Sequence, residues 1–123
     1  MENKITKRLP EAELEIMLII WDAEDAVSST YILERFREQR NWALPTLMTV
    51  LTRLVKKGYL NCTKIGRNNS YTPVITGEEY YQYEIGLILS KVFKGSFEHM
   101  AKSLIDGKYI TKDELVRVAN IYK

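Results

Sequence analysis

The chain has 123 residues and a mass of 14.4 kDa, room for one compact domain or for one small domain with an appendage. A hydrophobic content of 46% supplies a core and excludes a disordered chain, whereas a formal net charge of +2 says nothing by itself about a nucleic-acid partner. The distribution of charge says more. Gln39 to Gly77 contains no Asp or Glu but holds Arg40, Arg53, Lys56, Lys57, Lys64 and Arg67. Leu9 to Asp25 is the reverse, with Glu11, Glu13, Glu15, Asp22, Glu24 and Asp25 and no Lys or Arg. A basic surface on a nearly neutral protein is the electrostatic footprint expected for a polyanion partner.

Met1 to Leu9 reads as a polar, frayed start. Pro10 can open a first helix to about Ala23, with acids in its first turn where they favour the helix dipole. The run Ile16-Met17-Leu18-Ile19-Ile20-Trp21 is apolar on most sides, which predicts a central core element. Asp22 to Val27 reads as a short acidic connection. Ser28 or Ser29 is a suitable N-cap for a second helix to about Gln39, with Ile32, Leu33 and Phe36 as its buried stripe. Arg40 to Ala43 is a turn, and Trp42 there is a packing residue that positions the third helix.

Leu44 to Gly58, LPTLMTVLTRLVKKG, predicts that third helix, with two chemically different sides. Leu47, Val50, Leu51, Leu54 and Val55 recur at i, i+3, i+4, i+7 and i+8 and line one side with aliphatics. Thr46, Thr49, Thr52, Arg53 and Lys56 fall on the other, which offers hydroxyls and cations but no carboxylate. Pro45 suits the first turn and Gly58 the position just past the end. An amphipathic surface helix is the commoner explanation of such a pattern. Three threonines, mediocre helix formers, on one solvent face favour a helix that enters a major groove.

Beyond Gly58 the period changes. Leu60 to Ile65 and Ser70 to Val74 read as strands joined by Gly66-Arg67-Asn68-Asn69, a hairpin with Pro73 at an edge or a strand end and Tyr71 packed beneath it. Three helices and a hairpin make a winged helix-turn-helix, with a small unrelated α+β domain as the alternative. Thr76 to Lys123 is helical in pattern, at about 76–93, 96–106 and 111–122. Thr76-Gly77-Glu78-Glu79 and Thr111-Lys112-Asp113-Glu114 are capping-box sequences, and Gly95 and Gly107 punctuate between them. Leu89, Val92 and Phe93, then Phe97, Met100 and Leu104, then Leu115, Val118 and Tyr122 mark apolar stripes. A segment of about 48 residues cannot bury all of these within itself. A second copy of the chain is the simplest partner. Charges in this segment balance, so it is not expected to bind DNA itself.

Cys62 is the only cysteine, so no intrachain disulfide forms and a cytoplasmic setting fits. The longest apolar run is far too short to cross a bilayer, and no secretory signal is visible at the N-terminus. Cys62 and His99 have no partners at metal-ligand spacing. No nucleophile with a base, Gly-rich phosphate loop or HExxH is present, which points away from an enzyme, a metal centre or a bound cofactor.

The order Ile19-Ile20-Trp21, Trp42, Thr46, Thr49, Leu51-Thr52-Arg53-Leu54, Lys56-Lys57-Gly58-Tyr59-Leu60, Tyr71-Thr72-Pro73-Val74 and Lys91-Val92-Phe93-Lys94-Gly95-Ser96-Phe97 resembles the penicillinase-repressor (BlaI/MecI/CopY) family, from about Pro10 to the end. The resemblance implies homodimeric repressors in which a winged helix binds an inverted-repeat operator and a helical C-terminal segment forms the dimer. Three departures matter. Members often carry a Lys and an Arg where this chain has Pro45 and Met48; Met48 can touch a thymine methyl but cannot bond guanine. The Asn-Phe bond cut by a membrane-bound sensor protease in β-lactam-controlled members corresponds here to Ser103-Leu104, which argues against control by that route. The Cys-x-Cys motif of the copper-responsive branch is absent, which argues against copper sensing.

The reading is therefore mainly α with a small β-hairpin: a winged helix-turn-helix over residues 1–75 and a helical dimerisation segment over 76–123. Its expected function is sequence-specific repression of transcription on double-stranded operator DNA. Thr46, Met48, Thr49, Thr52, Arg53, Lys56 and Lys57 of the third helix, with Lys64 and Arg67 of the hairpin, are the expected DNA contacts. The rival reading is a winged-helix interaction module whose basic face meets an acidic protein; salt-sensitive DNA binding separates the two.

Overall fold

The computed structural model describes residues 5–123. Helix α1 (Glu11–Asp22) starts after Pro10 and buries Ile16, Met17 and Ile20 on one side. Leu18 is exposed and Ile19 half-buried, so α1 is a two-faced core helix rather than one covered on most sides. Helix α2 (Ser29–Phe36) is capped by Ser28, whose side-chain oxygen accepts from the Tyr31 N–H at 3.1 Å. Its stripe is Ile32, Leu33 and Phe36, as its spacing predicts. Helix α3 (Leu44–Lys56) buries Leu47, Val50, Leu51 and Leu54 and leaves Val55 half-buried. These side chains meet in one core, where each fully buried aliphatic contributes about 1.5–3 kcal/mol. The Trp42 ring meets Phe36 edge-on at 4.9 Å and ties the turn before α3 to α2.

The end of α3 determines how the chain enters the sheet. Gly58 takes a φ of 84°; its N–H donates to the Val55 carbonyl at 3.0 Å, and the Tyr59 N–H to that of Leu54 at 3.0 Å. This reciprocal pair closes the helix and needs the left-handed conformation that glycine adopts freely. Tyr59 and Leu60 then return to the core as strand β2 (Leu60–Ile65) begins.

The sheet differs from the expected two-stranded hairpin. Val27–Ser28 forms a short strand β1 that pairs antiparallel with strand β3 (Asn68–Pro73), giving three strands in the order β1-β3-β2. The supposed acidic connection therefore ends in sheet, because Val27 is buried and Ser28 serves both as strand partner and as helix cap. The turn is also tighter. Ile65 pairs with Asn68, so only Gly66 and Arg67 lie between the strands, with Gly66 at a φ of 62°. Asn68 and Asn69 are strand residues, not turn formers. Pro73 closes β3, where its missing N–H interrupts no ladder.

The N-terminal stretch is not frayed where it is described. Ile5 and Leu9 are buried, and the Leu9 N–H donates to the Tyr80 hydroxyl at 2.8 Å; Met1 to Lys4 lie outside the described residues. The Trp21 indole stacks on Tyr80 at 5.5 Å, meets Tyr81 edge-on, and donates its N–H to the Ile75 carbonyl at 2.9 Å. These contacts hold the start of helix α4 (Gly77–Leu87) against α1. The chain divides into two compact units, one ending at Gln82 and the other running Tyr83–Lys123, so the division falls inside α4.

The Thr76–Glu79 capping box opens α4, with hydrogen bonds of 3.0 and 3.1 Å. In the second unit the helix continues as a π-helical turn over Ile88–Val92. Helix α5 (Phe97–Asp106) is capped by Ser96, and helix α6 (Lys112–Ile121) by a capping box between Thr111 and Glu114.

Candidate nucleic-acid interface

Both sides of α3 are used differently. The helix buries its aliphatic stripe, while Thr46, Thr49, Thr52, Arg53 and Lys56 are exposed or largely so and Met48 is half-buried on the shoulder. No side chain caps its N-terminus, no acid lies in its first turn, and Pro45 brings no N–H, so nothing in the helix itself competes there for an anion. Thr49, Thr52, Arg53 and Lys56 line a shallow groove along the exposed side. A second groove, toward the start of α1, is lined by Pro10, Glu13, Trp42, Thr46, Thr49 and Arg53.

Hydroxyl chemistry is narrower than the sequence suggests. Thr49 donates to the Pro45 carbonyl at 3.1 Å and Thr52 to the Met48 carbonyl at 2.9 Å, each one turn back. With the donor engaged, each hydroxyl offers a ligand its lone pairs and its methyl. In this rotamer the threonines suit an amino group or a thymine methyl rather than a phosphate oxygen.

Lys64 and Arg67, on the β2–β3 hairpin, are exposed and have no acidic partner among the described residues. The hairpin and α3 meet at Tyr71, which is buried; its hydroxyl donates toward the Met48 sulfur at 4.0 Å and accepts from the Asn69 amide at 3.4 Å. Burial pushes the Tyr71 phenol above its usual range. Tyr71 thus fixes the wing relative to α3, and Cys62, its partner across the strands, is exposed beside it.

Charge segregation along the chain does not survive folding intact. Glu13 of α1 is buried, and its carboxylate meets the Lys57 ammonium at 2.5 Å and the Arg53 guanidinium at 3.7 Å. Glu15, also on α1, takes two hydrogen bonds from Arg40 at 3.0 and 3.3 Å, and this partner pushes the Arg40 pKa upward. The interface therefore presents Lys56, Lys64 and Arg67 as free cations among the described residues, and Arg53 as a shared one. Lys57 faces an acid instead. Sequence reasoning missed Glu13, although a signal was available: Glu13, Ile16, Met17 and Ile20 follow the helical spacing of a buried stripe, and a carboxylate there needs a cation.

Residues marked for association lie in the second unit. Val92, Phe97, Val118 and Tyr122 are exposed, while Leu89, Phe93, Met100, Leu104 and Leu115 are half-buried. Ile85, Ile88, Tyr109, Val116 and Ile121 add exposed apolar area outside those stripes. Ser103 and Leu104 sit half-buried within α5. Among the described residues no group of three or more His, Cys, Asp or Glu side chains is placed to hold a metal ion, and no helix is long and apolar enough to cross a membrane.

The chain is similar to known proteins. The chain is 31% identical over 121 residues to the methicillin resistance regulatory protein MecI of Mammaliicoccus sciuri, covering 98% of this chain and 97% of that one. It is 29% identical over 112 residues to the penicillinase repressor of Bacillus licheniformis, covering 89% and 87%. Among solved structures it resembles the DNA-binding domain of the repressor BlaI, with 36% identity and a TM-score of 0.53 over 59% of this chain and 88% of that chain. A similar match is the monomeric form of Bacillus licheniformis BlaI in complex with the blaP half-operator, with 35% identity and a TM-score of 0.51 over 60% and 89%. The family model described as penicillinase repressor matches residues 9–123. The chain belongs to the penicillinase-repressor family.

Proposed function

We propose that two copies of this chain bind one inverted-repeat operator in cytoplasmic DNA and repress transcription by occupying it. DNA-binding repression, rather than catalysis, is the function of the family to which the chain belongs. The observation that carries the reading is the exposed side of α3, where hydroxyls and cations stand without a carboxylate on a helix whose other side is core. A helix of this kind fits the major groove, and two of them in a dimer reach half-sites about one turn apart, roughly 34–36 Å. Lys56, Lys64, Arg67 and the free part of Arg53 would hold phosphates, while Thr46, Met48 and Thr49 would face base edges.

The dimer is supported by apolar exposure in the Tyr83–Lys123 unit. Its helices leave Val92, Phe97, Val118 and Tyr122 at 65%, 54%, 54% and 84% exposure, more than an isolated unit normally shows to water. On this reading association belongs to the Tyr83–Lys123 unit and DNA contact to the unit that ends at Gln82. Cleavage at Ser103-Leu104 by a membrane sensor protease would first require α5 to open, since that bond lies within the hydrogen-bonded helix.

Gel-shift titration on the DNA upstream of the chain's own coding sequence, followed by binding-site selection, tests the reading. A retarded band at low salt and an inverted repeat in the selected sites are expected. No shift with any fragment at low salt would overturn it.

A further inference from the structure

Glu13 stands out because it is charged, 3% exposed and set on the buried stripe of α1, yet its partners belong to α3. One carboxylate oxygen takes Lys57, the residue that caps the end of α3, and the other lies 3.7 Å from Arg53 on the face with Thr49, Thr52 and Lys56. Their side chains differ in exposure, 31% for Lys57 and 54% for Arg53. Lys57 is thereby drawn toward α1, whereas Arg53 keeps most of its guanidinium in solvent. Three charged groups thus carry one net positive charge where the α3 sequence alone offers two.

We propose that Glu13 is an electrostatic positioning residue that withholds Lys57 from DNA phosphate and steadies Arg53 toward it, so limiting sequence-independent affinity. The proposal rests on the DNA-binding reading above. An ion held against a buried carboxylate releases no counterion from DNA, because its charge is already satisfied. Sequence-independent binding grows with each cation that can reach a phosphate, whereas base readout does not. An acid beneath the recognition helix therefore lowers the background against which an operator is distinguished. Arg53, anchored at one nitrogen, gives up less side-chain freedom on meeting a phosphate than an untethered arginine would.

The test compares the full chain with its Glu13→Gln variant on a duplex of arbitrary sequence, with affinity measured across a salt series. Glutamine keeps the shape and an oxygen for Lys57 but removes the charge. Freeing one cation per protomer should tighten sequence-independent binding about fivefold per protomer at about 0.15 M salt, hence about 25-fold for a dimer, and steepen the log–log salt slope by about 0.9 per protomer. A purely structural role would leave that slope unchanged, and an unchanged or shallower slope would overturn the proposal. Should Glu13→Gln fail to fold, the charge-balanced double variant Glu13→Gln/Lys57→Gln decides. The wild-type affinity and slope are expected, since a mutually satisfied pair has been removed as a pair. A loss of about fivefold per protomer with a slope shallower by about 0.9 per protomer would show that Lys57 reaches phosphate after all, and would overturn it. If the unmodified chain bound no duplex at low salt, it would be the DNA-binding reading that had failed.

Discussion

Salt dependence offers the sharpest quantitative consequence of the folded charge arrangement. The cations of the α3–hairpin stretch alone would neutralise about six phosphates per protomer, and a dimer would then show a log–log slope near −11. In the fold, Lys57 and Arg40 are held by Glu13 and Glu15 and Arg53 is shared, which leaves Lys56, Lys64 and Arg67 fully available. Three to four phosphates per protomer gives a dimer slope of about −5 to −7. Raising monovalent salt from about 50 to 200 mM should then weaken operator binding by about 10³–10⁴-fold, against more than about 10⁶-fold for the larger count. Fluorescence anisotropy with a labelled operator duplex at four or five salt concentrations measures this directly. A slope steeper than about −9 would mean that the buried and half-buried carboxylates release their partners on DNA. One shallower than about −3 would mean that the hairpin and Lys56 do not meet the backbone.

Further consequences are open to simpler assays. Arg53→Ala should weaken binding to all sequences alike; selective loss on one operator would show that Arg53 reads a base. Leu51 is fully buried at the centre of α3, so Leu51→Ala should cost about 2–5 kcal/mol in urea denaturation, and a loss below about 1 kcal/mol would contradict its place in the core. Lys108 occupies the left-handed region at a φ of 63°, so Lys108→Gly should stabilise the second unit by roughly 1 kcal/mol, read as a higher melting temperature. Burial raises the Tyr71 phenol, so the folded state retains that proton longer than the unfolded chain. The stability it contributes is present below the unfolded value of about 10 and is lost as pH rises through the folded one. Ultraviolet titration should accordingly show a late-ionising phenol component that Tyr71→Phe removes, and a titration curve unchanged in shape by that substitution would contradict the burial argument.

Much of the fold was legible because local chemistry and tertiary packing agree. The aliphatic spacing of α3, the Ser28 cap and the two threonine capping boxes each satisfy backbone groups or bury a face within a few residues of chain. Features that depend on distant partners were not. Ile5 and Leu9 are buried, Leu9 against Tyr80, a partner 71 positions away, and nothing in a polar N-terminal stretch announces it. Strand β1 is two residues long and exists because β3 lies beside it. Gly107 punctuates the sequence as a helix stop, yet the left-handed residue is Lys108. Gly107 instead leaves room: a Cβ there would lie 2.9 Å from the exposed Tyr109 ring and 3.1 Å from the Ser103 carbonyl, so that ring would have to turn aside.

The candidate interface divides in the same way. Which residues of α3 face outward is set by helical period, and the structure exposes Thr46, Thr49, Thr52, Arg53 and Lys56 as that period requires. Which of the cations remain available is not set by it, because neutralisation comes from α1. Charge counted along a sequence measures what a chain carries, whereas binding depends on what is left unpaired after folding.

Dimethyl sulfate footprinting of the selected operator reads guanine N7 on the floor of the major groove, where both α3 helices are expected to lie. Two groups of protected guanines, about one helical turn or a multiple of it apart, are the expected result for two α3 helices lying in successive grooves. A bound operator with every guanine N7 still reactive, or with protection confined to minor-groove positions, would contradict the account.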